Sequence, residues 1–281
     1  MLISDAQVQT LKNWRQWGSH TQRLVTAGLI LIPLLLVIGV GPTWMWLLVI
    51  WAASFLGLAE LEKMLVPEGL SVGWRVLYLA AAFALPFGAW NGGPAGLHGA
   101  LALSLFCGFA VLLVAKPMDA SALQLLSRMT LGWLYIPYLL SYVLLMGQAG
   151  SGRACVTFTL FVMIANDAGA YYTGRRYGRR KLYERVSPKK TIEGTLGGTA
   201  CCLLMGVVCG LVLLPDRSLG RLMGICLVLA VAGPMGDLFE SMMKRTSGIK
   251  DSGHYLPGHG GILDRLDSLL FAFPIAWLAL L

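Results

Sequence analysis

Between Ser241 and Asp267 the chain reads SMMKRTSGIKDSGHYLPGHGGILDRLD. Its acidic residues are Asp251, Asp264 and Asp267, with Asp237 and Glu240 just upstream; its basic ones are Lys244, Arg245, Lys250 and Arg265. Carboxylates that can hold a divalent cation, interleaved with lysines and arginines that can hold phosphate, are the equipment of metal-assisted phosphoryl or nucleotidyl transfer. Apolar runs long enough to cross a bilayer flank the segment on both sides. Ionisable groups so close to lipid are costly unless paired or metal-bound, and are functional by default. The plainer alternative is that these charges neutralise one another in a loop.

On a helix, Asp237, Glu240, Ser241 and Lys244 stand at i, i+3, i+4 and i+7 and share one face. A second helix starting near Gly261 gives Asp264, Asp267 and Ser268 a common face. Two such helices, antiparallel and joined by a short loop, are expected to bring Asp237 and Asp264 together. The glycines at 248, 253, 258, 260 and 261 let the loop backbone approach a ligand closely. His259, in that turn, reads as a local hydrogen bonder rather than a zinc ligand.

A second polar segment, Asn166 to Gly198, reads NDAGAYYTGRRYGRRKLYERVSPKKTIEGTLGG. Asn166 and Asp167 interrupt an apolar run, which points to a ligand or a cation. The basic run Arg175, Arg176, Arg179, Arg180 and Lys181 suits anionic headgroups and control of topology. In Ser187, Pro188, Lys189, Lys190 and Thr191, hydroxyls flank two adjacent lysines ahead of a helix start. Thr191, Gly194, Gly197 and Gly198 there would suit a polyphosphate cradle, although this is not a Walker A sequence.

The elements that must position these groups are membrane spans. Of the 281 residues, 57% are hydrophobic and only 13% charged, against about 25% charged in a soluble domain. Runs near the ~20 residues a span needs recur along the whole chain. The expected fold is therefore all-α and polytopic, with nine spans near 24–40, 43–59, 74–90, 97–115, 129–147, 154–172, 196–214, 219–240 and 264–281. Residues 1–22 are expected to form an N-terminal cytoplasmic segment, either an interfacial helix or a tail, 23–128 the N-terminal spans, and 129–281 a catalytic region with cytoplasmic loops 173–195 and 241–263.

With the N-terminus in the cytoplasm, all of the 22 lysines and arginines except Arg153, Arg217 and Arg221 fall inside, as the positive-inside rule asks. Both chemically loaded loops then face the cytoplasm. The net charge of +8 sits in loops between spans, so membrane lipids and phosphate substrates are the expected partners and nucleic acid is not. The loop with Glu60, Glu62, Lys63 and Glu68 reads as solvated surface. The cysteines at 107, 155, 201, 202, 209 and 226 read as small packing residues. No cleavable leader is expected, since the first twenty or so residues are polar.

The run Ser241, Lys244, Arg245, Lys250, Asp251, Gly253, Leu256, Pro257, His259, Gly260, Gly261, Asp264, Arg265, Asp267 resembles, without a departure, the signature of phosphatidate cytidylyltransferases, also called CDP-diacylglycerol synthases. Ser187 to Thr191 with Glu193 and Gly194 resembles that family's SPKKTxEG hallmark, and Asn166–Asp167 resembles a third. The resemblance spans roughly residues 130–281. It implies transfer of CMP from CTP to phosphatidic acid, with release of pyrophosphate, by a helical and usually homodimeric protein of the bacterial cytoplasmic membrane.

By the same resemblance, Asp237 and Asp264 are the principal Mg²⁺ ligands, with Asp267 and Asp251 in support and room for a second, monovalent cation. Lys189, Lys190, Lys244, Arg245, Lys250 and Arg265 would share the triphosphate and the lipid phosphate. Asn166, Asp167, Ser187, Thr191, Ser241 and His259 would complete the substrate contacts. The nearest rival is a CTP-dependent polyprenol or lipid kinase, which transfers the γ-phosphate instead. A rival of another class is an ion-coupled transporter using Asp167, Asp237 and Asp264; the lack of an internal repeat speaks against it.

Overall fold

The computed structural model describes residues 19–115, 120–249, 252–253 and 261–281. Lys250, Asp251 and His259, and the interfacial segment expected at the N-terminus up to residue 18, lie outside the described residues. In order, the elements are α1 (Ser19–Val40), α2 (Thr43–Leu65), α3 (Val72–Ala115), α4 (Ala120–Trp133), α5 (Tyr142–Gly147), α6 (Gly152–Tyr177), β1 (Lys181–Tyr183), β2 (Ser187–Thr191), α7 (Ile192–Leu213), α8 (Leu219–Thr246) and α9 (Leu263–Leu280). A π-turn at Leu134–Tyr138 joins α4 towards α5.

Among the described residues, six helical stretches are long and apolar enough to cross a membrane: α2, α3, α4 through α5, α6, α7 and α8. Leu36, Leu48, Phe83, Phe106, Leu204 and Leu211 are exposed on their outer faces, a surface that a water-soluble monomer would not carry. The architecture is that of an all-α membrane protein; the short β1–β2 hairpin is the one addition among the described residues.

The apolar stretch Val72–Ala115 folds back on itself at Gly93 (φ 60°, ψ −148°), and Pro94 opens its second arm. A positive φ with that ψ is a conformation only glycine adopts cheaply. The reversal is visible in the packing: the Trp133 indole donates to the Tyr78 carbonyl at 3.1 Å and also lies against Gly108. Those two residues would be about 45 Å apart along a straight helix. Where the arms touch, Gly88 faces Gly96, and a methyl group on either would collide with the other's main chain.

In the C-terminal half, α6, α7, α8 and α9 pack together. Gly194, Gly197 and Gly198 of α7 lie on Gly174, Thr173 and Asn166 of α6. This corrects the phosphate-cradle reading of those glycines. They are small so that two helices can touch along their backbones, the usual way apolar helices associate in lipid. Thr191 is likewise turned to structure: its hydroxyl accepts from the Gly194 N–H at 3.1 Å and caps α7.

The hairpin is pinned by Glu193, whose carboxyl accepts the N–H groups of Arg179 and Arg180 at 3.0 and 3.1 Å. Lys181 pairs with Thr191 and Tyr183 with Ser187 across the two strands. The hairpin marks one end of the bundle.

At the opposite end, Arg153 donates to the carbonyls of Ile38, Gly39 and Gly41 at 2.8–3.0 Å, satisfying the C-terminus of α1. Arg221 does the same for α9 through Ala279 at 2.7 Å. Gln148 Nε2 holds the turn of α3 by donating to Ala89 and Trp90.

One further expectation fails. Glu60 and Glu62, read as solvated surface, are buried at the hairpin end of α2. Glu62 is paired with Arg75 at 2.7 Å; of the acidic residues in that stretch, only Glu68 is exposed.

Candidate active site

Three helices of the C-terminal half deliver carboxyl groups to the hairpin end: α6 brings Asp167, α8 brings Asp237 and Glu240, and α9 brings Asp264 and Asp267. They meet because α8 and α9 run antiparallel in backbone contact. Gly236 lies directly on the main chain of Asp267 and on Phe271, so any larger residue at 236 would push the helices apart. This register sets Asp267, rather than Asp264, at the level of Asp237. Asp264 lies three residues, about 4.5 Å, further along α9, where Lys244 of α8 reaches it at 2.6 Å.

Lys190 reaches in from β2. Its Nζ sits 2.8 Å from Asp237 Oδ2 and 3.3 Å from the Pro234 carbonyl. Ser241 donates to the other oxygen of Asp237 at 3.2 Å. Asp237 is still 38% exposed at its side chain and Lys190 22%, so both can be reached by a solute. Lys244 is more enclosed, bridging Glu240 at 2.7 Å and Asp264 at 2.6 Å. The second Asp264 oxygen accepts from Ser252 Oγ and Gly261 N, each at 2.9 Å.

Asp167 accepts from Ser268 Oγ at 3.2 Å and lies within electrostatic reach of Asp237, Lys190 and Arg265. Asp267 in turn lies within electrostatic reach of Asp237, Glu240 and Asp167. Arg245 donates from α8 to the Val186 carbonyl at 3.3 Å, tying the signature segment to the hairpin. Lys189 is exposed beside Lys190, and Ser187 is half-buried on the same strand.

Several buried polar atoms in this region have no partner: both amide atoms of Asn166, Glu240 Oε1 and the Tyr135 hydroxyl. Buried polar groups are ordinarily hydrogen-bonded, and each orphan needs a reason. Asn166 is wedged between Gly198 of α7 and Gly233 of α8. Tyr135 projects from the π-turn, packs on Phe239 and Phe271, and lies within electrostatic reach of Asp267, Glu240 and Asp237.

The fit of a divalent cation can be judged from the donors. All are hard oxygens, the kind Mg²⁺ takes. Among the described residues no three of them converge into a closed metal cluster. That suits an ion held by one or two carboxylates and completed by substrate phosphates, as Mg²⁺ in nucleotide sites usually is. The arrangement of accessible cations and carboxylates at the hairpin end is fit to bind a polyphosphate and stabilise charge as it moves between oxygens.

Sequence reasoning missed Glu60 and Tyr135. Glu60 had a readable signal, since the apolar run continues past it to Met64 and Leu65, which makes it an ionisable residue inside a span. Tyr135 had none, because a tyrosine in an apolar helix is ordinary.

The Cytidylyltransferase family model matches residues 21–281 of the chain. The chain is 35% identical over 272 residues to the Uncharacterized protein YnbB of Escherichia coli K12, covering 93% of this chain and 87% of that one. It is 43% identical over 129 residues to the Phosphatidate cytidylyltransferase of Bacillus subtilis 168, covering 46% of this chain and 48% of that one. With the Phosphatidate cytidylyltransferase of Staphylococcus saprophyticus the identity is 40% over 136 residues, covering 48% and 52%. The matches to these two enzymes thus span about half of their length.

Proposed function

The chain belongs to the cytidylyltransferase family, and we propose that it is a phosphatidate cytidylyltransferase, transferring CMP from CTP to phosphatidic acid to give CDP-diacylglycerol and pyrophosphate. An oxygen of the phosphatidate phosphate attacks the α-phosphorus of CTP; the new P–O bond forms as the bond to the β-phosphate breaks and pyrophosphate leaves. The nucleophile is already an oxyanion, so no general base is required. What remains for the protein is to align two polyanions and offset their charge.

The observation that carries this reading is Lys190, which crosses from the SPKKT strand at 2.8 Å to Asp237, the carboxylate also held by Ser241 of the signature run. Two sequence hallmarks far apart in the chain are thereby one site. An incoming phosphate can take the lysine from its carboxylate. In the proposal Lys190 and Lys189 hold the triphosphate, while Lys244, Arg245, Lys250 and Arg265 divide the remaining phosphates with the lipid. Asn166, with two orphan amide atoms, and Asp167, Ser187, Ser241 and His259 complete the contacts, while Thr191 acts only by capping α7.

Asp237, Asp264 and Asp267 would hold Mg²⁺, with Asp251 in support and room for a monovalent cation; the metal supplies charge neutralisation for the triphosphate. Asp237 is the most open of the three. The oxygens of Asp264 are already taken by Lys244, Ser252 and Gly261.

The topology proposed is nine passes, namely α1, α2, the two arms of α3, α4 through α5, α6, α7, α8 and α9, with the N-terminus and the site on the cytoplasmic side. The use of Arg153 and Arg221 as helix caps supports it, since it explains why two of the three cations left outside are there. CTP then arrives from water while phosphatidic acid stays in the bilayer, which avoids a cost of about 0.8 kcal/mol per CH₂ extracted. An apolar cleft of about 100 Å³, lined by Leu34, Ile50, Ala53, Leu266, Leu269 and Phe273, offers acyl chains a surface beside α9. A homodimer is part of the proposal, and crosslinking in membranes tests it.

The decisive experiment uses purified protein in detergent with phosphatidic acid, Mg²⁺ and CTP labelled separately on the α- and γ-phosphates. The α label is expected in the lipid and the γ label in pyrophosphate. Entry of the γ label into lipid would make the protein a kinase, and no transfer of either label would reopen the transporter reading.

A further inference from the structure

Glu60 belongs to α2, in the N-terminal half, and is fully buried. Its carboxyl group is nevertheless spent on the signature segment at the far end of the chain. Oε1 accepts from the N–H of Ile262 and Oε2 from that of Leu263, both at 2.9 Å. These are the opening residues of α9, whose own cap residue makes no side-chain hydrogen bond. The first N–H groups of a helix have no partner within it, and the positive end of the helix dipole favours a carboxyl group there. Glu60 supplies that missing cap from another helix.

The contact continues to the proposed site. Ser252 Oγ lies 3.2 Å from Glu60 Oε2 and 2.9 Å from Asp264 Oδ2. One hydroxyl therefore joins Glu60 to Asp264. Around this group the chain closes with two glycines of the signature. A side chain at Gly253 would run into Glu60, and one at Gly261 into Ser252 and Glu60. Both positions have to be glycine because the Glu60 carboxyl fills the space beside them.

We infer that Glu60 is a positioning residue of the transferase: by capping α9 from α2 it sets the height and rotation at which Asp264 and Asp267 are presented. The inference rests on the function proposed above. Glu62 supplies the contrast, since it is two residues away and also buried, yet its oxygen serves Arg75 and touches nothing of α9 in any hydrogen bond described. If a buried carboxyl at this end of α2 were all that mattered, the two would behave alike.

The test compares E60Q, E62Q and G253A in the full chain, purified in detergent, by hydrogen–deuterium exchange of peptides covering residues 261–270 and by steady-state CMP transfer with CTP varied. In E60Q the opening turn of α9 is expected to exchange at least about tenfold faster, and kcat to fall by about 30-fold with the KM for CTP within about threefold. E62Q keeps both the exchange of α9 and kcat within about twofold of wild type.

G253A retains Glu60 but lifts the loop off it, so it repeats the E60Q pattern and carries the test if E60Q does not accumulate. The inference is overturned if E60Q and G253A leave α9 exchange unchanged, or if E62Q matches E60Q. Should the wild type transfer no CMP, the proposed function falls while the exchange measurement still judges Glu60.

Discussion

The two ends of the helix bundle use their cations in opposite ways. At the end opposite the hairpin, Arg153 and Arg221 are consumed by main-chain carbonyls at the C-termini of α1 and α9. At the hairpin end, Lys190 and Lys244 rest on carboxylates delivered by α8 and α9. A carbonyl at a helix terminus has no alternative partner inside lipid, so an arginine that caps it is fixed for good. A lysine on an accessible carboxylate can be traded for phosphate. Charge of the first kind holds the fold together, and charge of the second kind is available for chemistry.

This contrast can be broken by substitution. The largest expected effect is at Asp237→Asn, which removes the carboxylate between Lys190 and Ser241; turnover should fall by roughly 10³-fold while thermal unfolding stays within a few degrees of wild type. Removing Mg²⁺ with EDTA should abolish transfer, and readdition should restore it. Lys190→Ala should lower kcat/KM for CTP by about 10²-fold, again with little change in melting. Wild-type kinetics in either variant would take the residue out of the site.

At the other end the readouts exchange places. Arg153→Ala should lower stability by about 3 kcal/mol, since three charge-assisted hydrogen bonds go at once, with kcat within about twofold. Arg221→Ala, which loses one such bond, should cost about 1 kcal/mol and leave activity alone. A large kcat loss at Arg153 with unchanged melting would erase the distinction between the two ends.

The contrast also shows where reading the chain worked and where it stopped. The helices were legible because an apolar run of about twenty residues has few other fates. Even the reversal in the apolar stretch Val72–Ala115 was marked, by the gap expected between spans near 90 and 97, and Gly93 stands inside it. The polar residues of the two segments stood out because their types are costly in lipid. The roles of Gly197, Gly198 and Thr191 were not, since a glycine that admits a phosphate and one that admits a helix look the same in sequence. Glu60 was passed over because a carboxyl near three other charged residues resembles a solvated loop; the apolar run continuing past it marked it as intramembrane, but its partners Ile262 and Leu263 left no trace in the sequence.

Composition and spacing by themselves determined that this chain is a bundle of apolar helices with its chemistry gathered in two polar segments, because hydrophobicity and charge act locally and leave a local record. The register of α8 on α9, the pairing of Lys190 with Asp237 and the capping of α9 by Glu60 were decided only in three dimensions. Each depends on which small residues let two backbones touch, as Gly236 does against Asp267, and that contact is made between positions that carry no mark of each other in the sequence.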